Sequence, residues 1–119
     1  MDEKRLRGLI GLSTRAGLGV FGEDGCLKAV RNGSCAVLLL DSRASDATRQ
    51  KYEGVCRRTG TPMAILPEGL PGDAAGRPGV AMAVRDGGLA RQLISLLSGE
   101  RILITAAEAD TISGGASVE

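Results

Sequence analysis

Apolar and small residues return at three- and four-residue intervals in the opening segment, at Leu6, Leu9, Ile10, Ser13 and Ala16, with Glu3, Lys4, Arg5 and Arg7 before or between them. That spacing predicts an amphipathic helix, and Gly17 ends it. Residues 18–21 read as a short extended piece. Glu23 and Asp24 then open a second helix through Leu27, Ala29 and Val30 to Asn32-Gly33. Carboxylates suit that start because the helix dipole is positive there. Cys35 to Leu40 is a continuous apolar run of strand length closing on Asp41, the pattern of a strand covered on both faces.

Ser45 is placed to cap a third helix with apolar contacts at Ala47, Val55 and Cys56 and an outer face carrying Arg49, Lys51, Arg57 and Arg58. Gly60 and Pro62 end it. Pro62 to Leu66 reads as a second buried strand, followed by a Gly- and Pro-rich stretch, 67–79, with one helical turn near Asp73 to Ala75. Val80 to Val84 is a third strand. Asp86 is expected to cap a last helix carrying Leu89, Leu93, Ile94 and Leu97, halted at Ser98-Gly99. Helices alternating with strands over short connections predict an α/β fold, a three-layer α/β/α sandwich. The domain is expected to span 1–99. A C-terminal extension, 100–119, holds one more apolar cluster at Ile102 to Ile104 and ends partly frayed.

The chain of 119 residues suits a single domain, and its 43% hydrophobic and 24% charged content suffices for a core. Phe21 and Tyr52 are the sole aromatics, so Leu, Val, Ile and Ala must fill that core. Cys26, Cys35 and Cys56 show no C-x-x-C spacing and there is no histidine, which argues against a zinc site and for buried thiols in a reducing, cytoplasmic compartment. No stretch approaches the roughly 20 apolar residues that cross a bilayer, and Met1 to Arg7 leads into an amphipathic pattern unlike a signal peptide. No membrane partner is expected. Residues 1–60 hold 11 Lys/Arg against 7 Asp/Glu and residues 61–119 hold 4 against 7, so a modest basic bias on the first half permits a polyanion partner without demanding one.

Gly17-x-Gly19-x-x-Gly22 copies a dinucleotide-binding fingerprint, but it follows a helix instead of a strand, and the helix it opens begins with two carboxylates that would repel a pyrophosphate. Without histidine, a nucleophile elbow or a phosphate loop, the chain is not expected to be an enzyme or to take a cofactor or small-molecule substrate. Asp41 and Asp46 flank a loop at a strand end, where capping and turn formation account for them. Single-strand readers stack bases on aromatic rings, and this chain has almost none. An RNA-binding surface would have to use groove edges, phosphates and backbone. The segment Gly22 to Arg31, a glycine turn leading into a helix with Lys28 and Arg31, is the candidate; a solvated helix face explains the same residues.

Several blocks then carry a wider likeness: Leu9-Ile10-Gly11-Leu12-Ser13-Thr14-Arg15-Ala16-Gly17, Gly22-Glu23-Asp24, Lys28-Ala29-Val30-Arg31-Asn32-Gly33, Leu38-Leu39-Leu40-Asp41, Cys56, Pro62 and Val84-Arg85-Asp86-Gly87-Gly88-Leu89-Ala90. In this order, over about residues 5–97, the chain resembles the bacterial YlxQ-like branch of the kink-turn-binding ribosomal proteins, the L-seven-Ae and L-thirty-e superfamily. The resemblance implies a three-layer fold with a mixed four-stranded sheet. It also implies a ribosome-associated protein whose partner is structured RNA, ribosomal RNA in particular, with kinked duplexes recognised by shape and by guanine edges.

Carried over residue by residue, the resemblance makes Gly22 the turn glycine, puts Glu23 and Asp24 where threonine and asparagine often stand, and puts Lys28 near a phosphate, with Arg31 in the same segment. The second contact becomes Ile65, Leu66, Pro67, Glu68 and Gly69, against a flipped-out nucleotide. Gly25 stands where the family carries an acidic guanine reader, and Leu18 where this branch carries a basic residue. Those two departures open an alternative reading, a protein-interaction module that keeps the fold with a weakened RNA face.

Overall fold

The computed structural model describes residues 2–100 and 102–104. The elements run α1 (Glu3–Arg15), β1 (Gly19–Phe21), α2 (Glu23–Arg31), β2 (Cys35–Asp41), α3 (Asp46–Thr59), β3 (Met63–Leu66), α4 (Leu70–Ala75), β4 (Ala81–Arg85), α5 (Gly88–Gly99) and β5 (Leu103–Ile104). Local chemistry sets several of these boundaries. Asp2 accepts from the backbone of Arg5 at the start of α1, and Ser45 accepts from Thr48 at the start of α3, so each satisfies a first-turn N–H that the helix itself cannot.

One mixed sheet joins the strands in the order β1-β4-β2-β3-β5, with β2 and β3 parallel and the other pairs antiparallel. The sheet therefore has five strands where the family resemblance implied four. The fifth comes from the apolar cluster beyond Gly99: Leu103 pairs with Ala64 and is buried in the core. The expected fraying of the last residues lies outside the described residues.

The core falls into two clusters that split the strands residue by residue. Val37 and Leu39 of β2 join Leu6, Leu9 and Ile10 of α1, Leu70 of α4, and Ala90, Leu93 and Leu97 of α5. Leu38 and Leu40 join Cys26, Leu27 and Val30 of α2 and Tyr52, Val55 and Cys56 of α3. Successive strand side chains point to opposite faces, so these clusters cover opposite faces of the sheet. All three cysteines are free and buried, and burial pushes the thiols of Cys35 and Cys56 up to about 12. A thiol held protonated is a poor nucleophile and here serves as packing.

Three local expectations are corrected. Tyr52, not Ala47, supplies the apolar anchor of α3; Ala47 is exposed, and Tyr52 is fully buried with its hydroxyl donating to the Glu23 carbonyl at 3.4 Å. Asp86 does not cap α5, because the helix starts at Gly88 and Gly87 occupies the cap position, leaving the Asp86 carboxylate one residue too early and 3.8 Å from Arg91. The helical turn near Asp73 is a longer helix, α4, that begins at Leu70. Among the described residues no helix is long and apolar enough to cross a membrane, and no group of three His, Cys, Asp or Glu could hold a metal ion.

Candidate nucleic-acid interface

Sheet register decides which loops meet. Leu40 lies opposite both Ile65 and Ala81, Asp41 lies opposite Leu66, and Met82 lies opposite both Phe21 and Leu39. The segments starting at Gly22, Ser42 and Pro67 and the segment ending at Val80 thus gather at one end of the sheet. From β1 to β3 is three strand spacings, about 14 Å. The start of α2 and the loop after β3 therefore share one end of the molecule at that separation.

Gly22 makes the corner at α2. Its φ of 85° and ψ of 149° fall in a region open essentially to glycine, and a Cβ built there would meet nothing within 4 Å. The position is exposed and the constraint on it is purely conformational. No side chain caps α2, so its first N–H groups face outward beside Glu23 and Asp24. Glu23 is not free: its carboxylate accepts from Lys51 Nζ at 2.7 Å, and with Tyr52 this ties α2 to α3. Asp24 is exposed and takes part in no ion pair among the described residues.

The second loop is held by a carboxylate. Asp41 is 0% exposed and accepts from the Arg43 backbone N–H at 2.8 Å, from its guanidinium at 3.0 and 3.2 Å, and from the Gly69 N–H at 2.9 Å. Burial alone would push this carboxyl up. The hydrogen bonds from Arg43 and Gly69, together with the Arg43 charge, outweigh burial and hold it below the ordinary value of 3.8. Gly69 turns the chain with φ 79°, where a side chain would be strained. The loop from Pro67 to Gly69 is thereby fixed to the end of β2.

Beside this latch a cleft of about 620 Å³ is lined by Arg43, Gly69, Gly72, Asp73, Arg77 and Gly79. The Arg77 guanidinium leaves it to lie 4.3 Å from the centre of the Phe21 ring, next to Gly22, a cation–π contact that joins the cleft to the α2 corner. Arg43, Arg77 and Phe21 escaped the sequence reading. A lone aromatic ahead of a turn glycine was the one available signal, at Phe21.

Of the sequence-derived candidates, the structure brings Gly22, Glu23, Asp24, Ile65, Pro67, Glu68 and Gly69 to the same end. Ile65 is half-buried and packs with Ala44 against the α2–α3 cluster. Leu66 is a correction: strand alternation turns it to the other face, where it is 1% exposed within the core and offers no surface. Lys28 and Arg31 sit in the last turn of α2, and Arg31 lies eight residues from Glu23, about 12 Å along the helix. Arg31 belongs to the other end of the sheet.

Comparison with known proteins gives this arrangement a family. No family model matches the chain. The RNA-binding protein YlxQ of Bacillus subtilis (strain 168) is 36% identical over 91 residues, which make up 75% of this chain and 91% of that protein. A solved structure of a Bacillus halodurans protein of unknown function superposes with a TM-score of 0.74 at 30% identity, covering 78% of this chain and 96% of its own. The Giardia lamblia 15.5kD RNA binding protein superposes with a TM-score of 0.68 at 13% identity, over 84% and 88% of the two chains, a likeness of fold alone. The chain belongs to the family of YlxQ.

Proposed function

We propose that this protein binds structured RNA and recognises a kinked duplex by shape, without turnover or cofactor, as a cytoplasmic and ribosome-associated component. The observation that carries this reading is the meeting of the Gly22 corner with the Pro67–Gly69 loop at one end of the sheet, about 14 Å apart and each held in place. Family membership and the RNA-binding name of YlxQ support it. The two core clusters on opposite sheet faces support the three-layer sandwich on which it rests. In this reading the uncapped N–H groups of α2 and the exposed Asp24 face guanine edges, while Pro67 and Gly69 allow close approach of a displaced nucleotide.

The alternative, a protein-interaction module, draws on one specific feature. Asp24, Glu68 and Asp73 are exposed at this same end, and Gly25 lacks the acidic reader. Titrating a labelled kink-turn RNA and a straight duplex of equal length separates the two readings. The RNA reading requires tighter binding of the bent form, with the preference reduced in Gly22→Val. Equal binding of both RNAs overturns kink recognition, and no binding at micromolar protein overturns the RNA reading in favour of the module.

A further inference from the structure

The opposite end of the sheet has a different charge chemistry. Both α2 and α3 start at the Gly22 end and run parallel toward the end where β2 begins and β4 finishes, with Cys35 opposite Arg85. Lys28 and Arg31 lie in the last turn of α2, and Arg57 and Arg58 in the last turn of α3. The Glu23–Lys51 pair sets the offset between the two helices. Arg31 is eight residues beyond Glu23, about 12 Å, and Arg58 is seven beyond Lys51, about 10 Å and close to two full turns, so the two arginines lie almost level. Arg85 is exposed at the end of β4, its N–H bonded to the Leu18 carbonyl.

No acidic residue occurs from Gly25 to Leu40 or from Gly54 to Pro67, and the one carboxylate next to Arg85, that of Asp86, lies 3.8 Å from Arg91. Among the described residues Lys28, Arg31, Arg58 and Arg85 enter no ion pair, whereas Arg43, Arg49 and Lys51 toward the other end are each paired with a carboxylate. Cations favour the last turn of a helix because the dipole is negative there, which accounts for those on α2 and α3. It does not account for Arg85, which ends a strand.

We infer that this end is a second RNA contact, a patch that holds phosphodiester backbone irrespective of sequence. The choice of polyanion follows from the RNA-binding reading above; the location does not. The patch offers charge without apolar anchors: among the described residues the one exposed large hydrophobic side chain is Leu12, on α1, at 46%. A protein hot spot or a membrane surface would call for buried aromatic or aliphatic contacts. A phosphate backbone asks for unpaired cations, whose binding releases counterions. The seven residues of β2 separate the two ends by about 20 Å, so one molecule could hold two RNA segments at once.

The test is fluorescence anisotropy of a straight RNA duplex with the full chain from 50 to 200 mM salt, comparing wild type with Arg31→Gln/Arg58→Gln/Arg85→Gln. The triple variant should bind at least about tenfold more weakly at low salt, and its log–log salt dependence should be shallower by about 3, at roughly 0.9 per lost phosphate contact. Thermal melting checks that it stays folded; glutamine keeps helix propensity at the exposed Arg31 and Arg58 positions. Unchanged affinity and slope in a folded triple variant overturn the inference, as does a wild-type protein that ignores the straight duplex. Duplex binding that depends on the arginines but shows no preference for bent RNA would count against the proposed function alone.

Discussion

At the end of the sheet where Gly22, Ser42, Pro67 and Val80 meet, Arg43, Arg49 and Lys51 are each paired with a carboxylate and backbone is locked; at the other end, Lys28, Arg31, Arg58 and Arg85 enter no ion pair among the described residues. The first end spends its cations internally, Arg43 on Asp41, Arg49 on Asp46 and Lys51 on Glu23, and two of these pairs position loops or helices. The second leaves Lys28, Arg31, Arg58 and Arg85 outside any ion pair among the described residues. Internally satisfied charge fixes shape and contributes little net attraction for a polyanion. Unmatched charge attracts without fixing shape. One end is suited to discriminating a bent RNA, the other to holding any RNA.

The comparison breaks most sharply at Asp41. Asp41→Asn removes the charge that meets Arg43 and leaves one of its buried donors short of an acceptor, an expected loss of about 2 kcal/mol in urea unfolding at neutral pH. The carboxyl is held below its ordinary value, so its contribution is complete above pH 3.8 and disappears as pH falls through the lower folded value. The stability gap between wild type and variant should narrow below pH 3.8 and close in stronger acid. A gap that persists in strong acid would show that the loss arises from something other than ionisation.

A comparable effect is expected at the α2 corner. Gly22→Val puts a branched side chain at φ 85° with open space around it, so the whole cost is backbone strain, about 1 to 3 kcal/mol. Stability measured by denaturant should fall by that amount. The smallest effect belongs to Lys51→Gln. The pair with Glu23 is half-exposed, and its loss should cost less than about 1 kcal/mol, with the difference fading at high salt.

Much of this architecture could be read from local pattern. The bounds of α2, the Ser45 cap and the Gly22 corner follow from residues adjacent in sequence, and each stands where the pattern placed it. What escaped was non-local. The Asp41 latch reaches Gly69 across 28 positions, and β5 is two residues long and exists only because β3 has a free edge. Tyr52 stands among charged neighbours, and its burial depends on the cluster with Cys26 and Leu38. Charge shows the same limit: counting by halves of the chain separates basic from acidic, but the structure sorts the cations by sheet end and by pairing. Arg85 comes from the second half of the chain, yet joins the last turns of α2 and α3 from the first.

Backbone amide shifts during titration with a kink-turn RNA address the central claim most directly, because they report both ends in one experiment. The expected result is that Gly22, Glu23, Asp24, Glu68 and Gly69 move together and saturate first. Movement confined to Arg31, Arg58 and Arg85, with residues 22–24 and 68–69 unmoved at saturation, would contradict it.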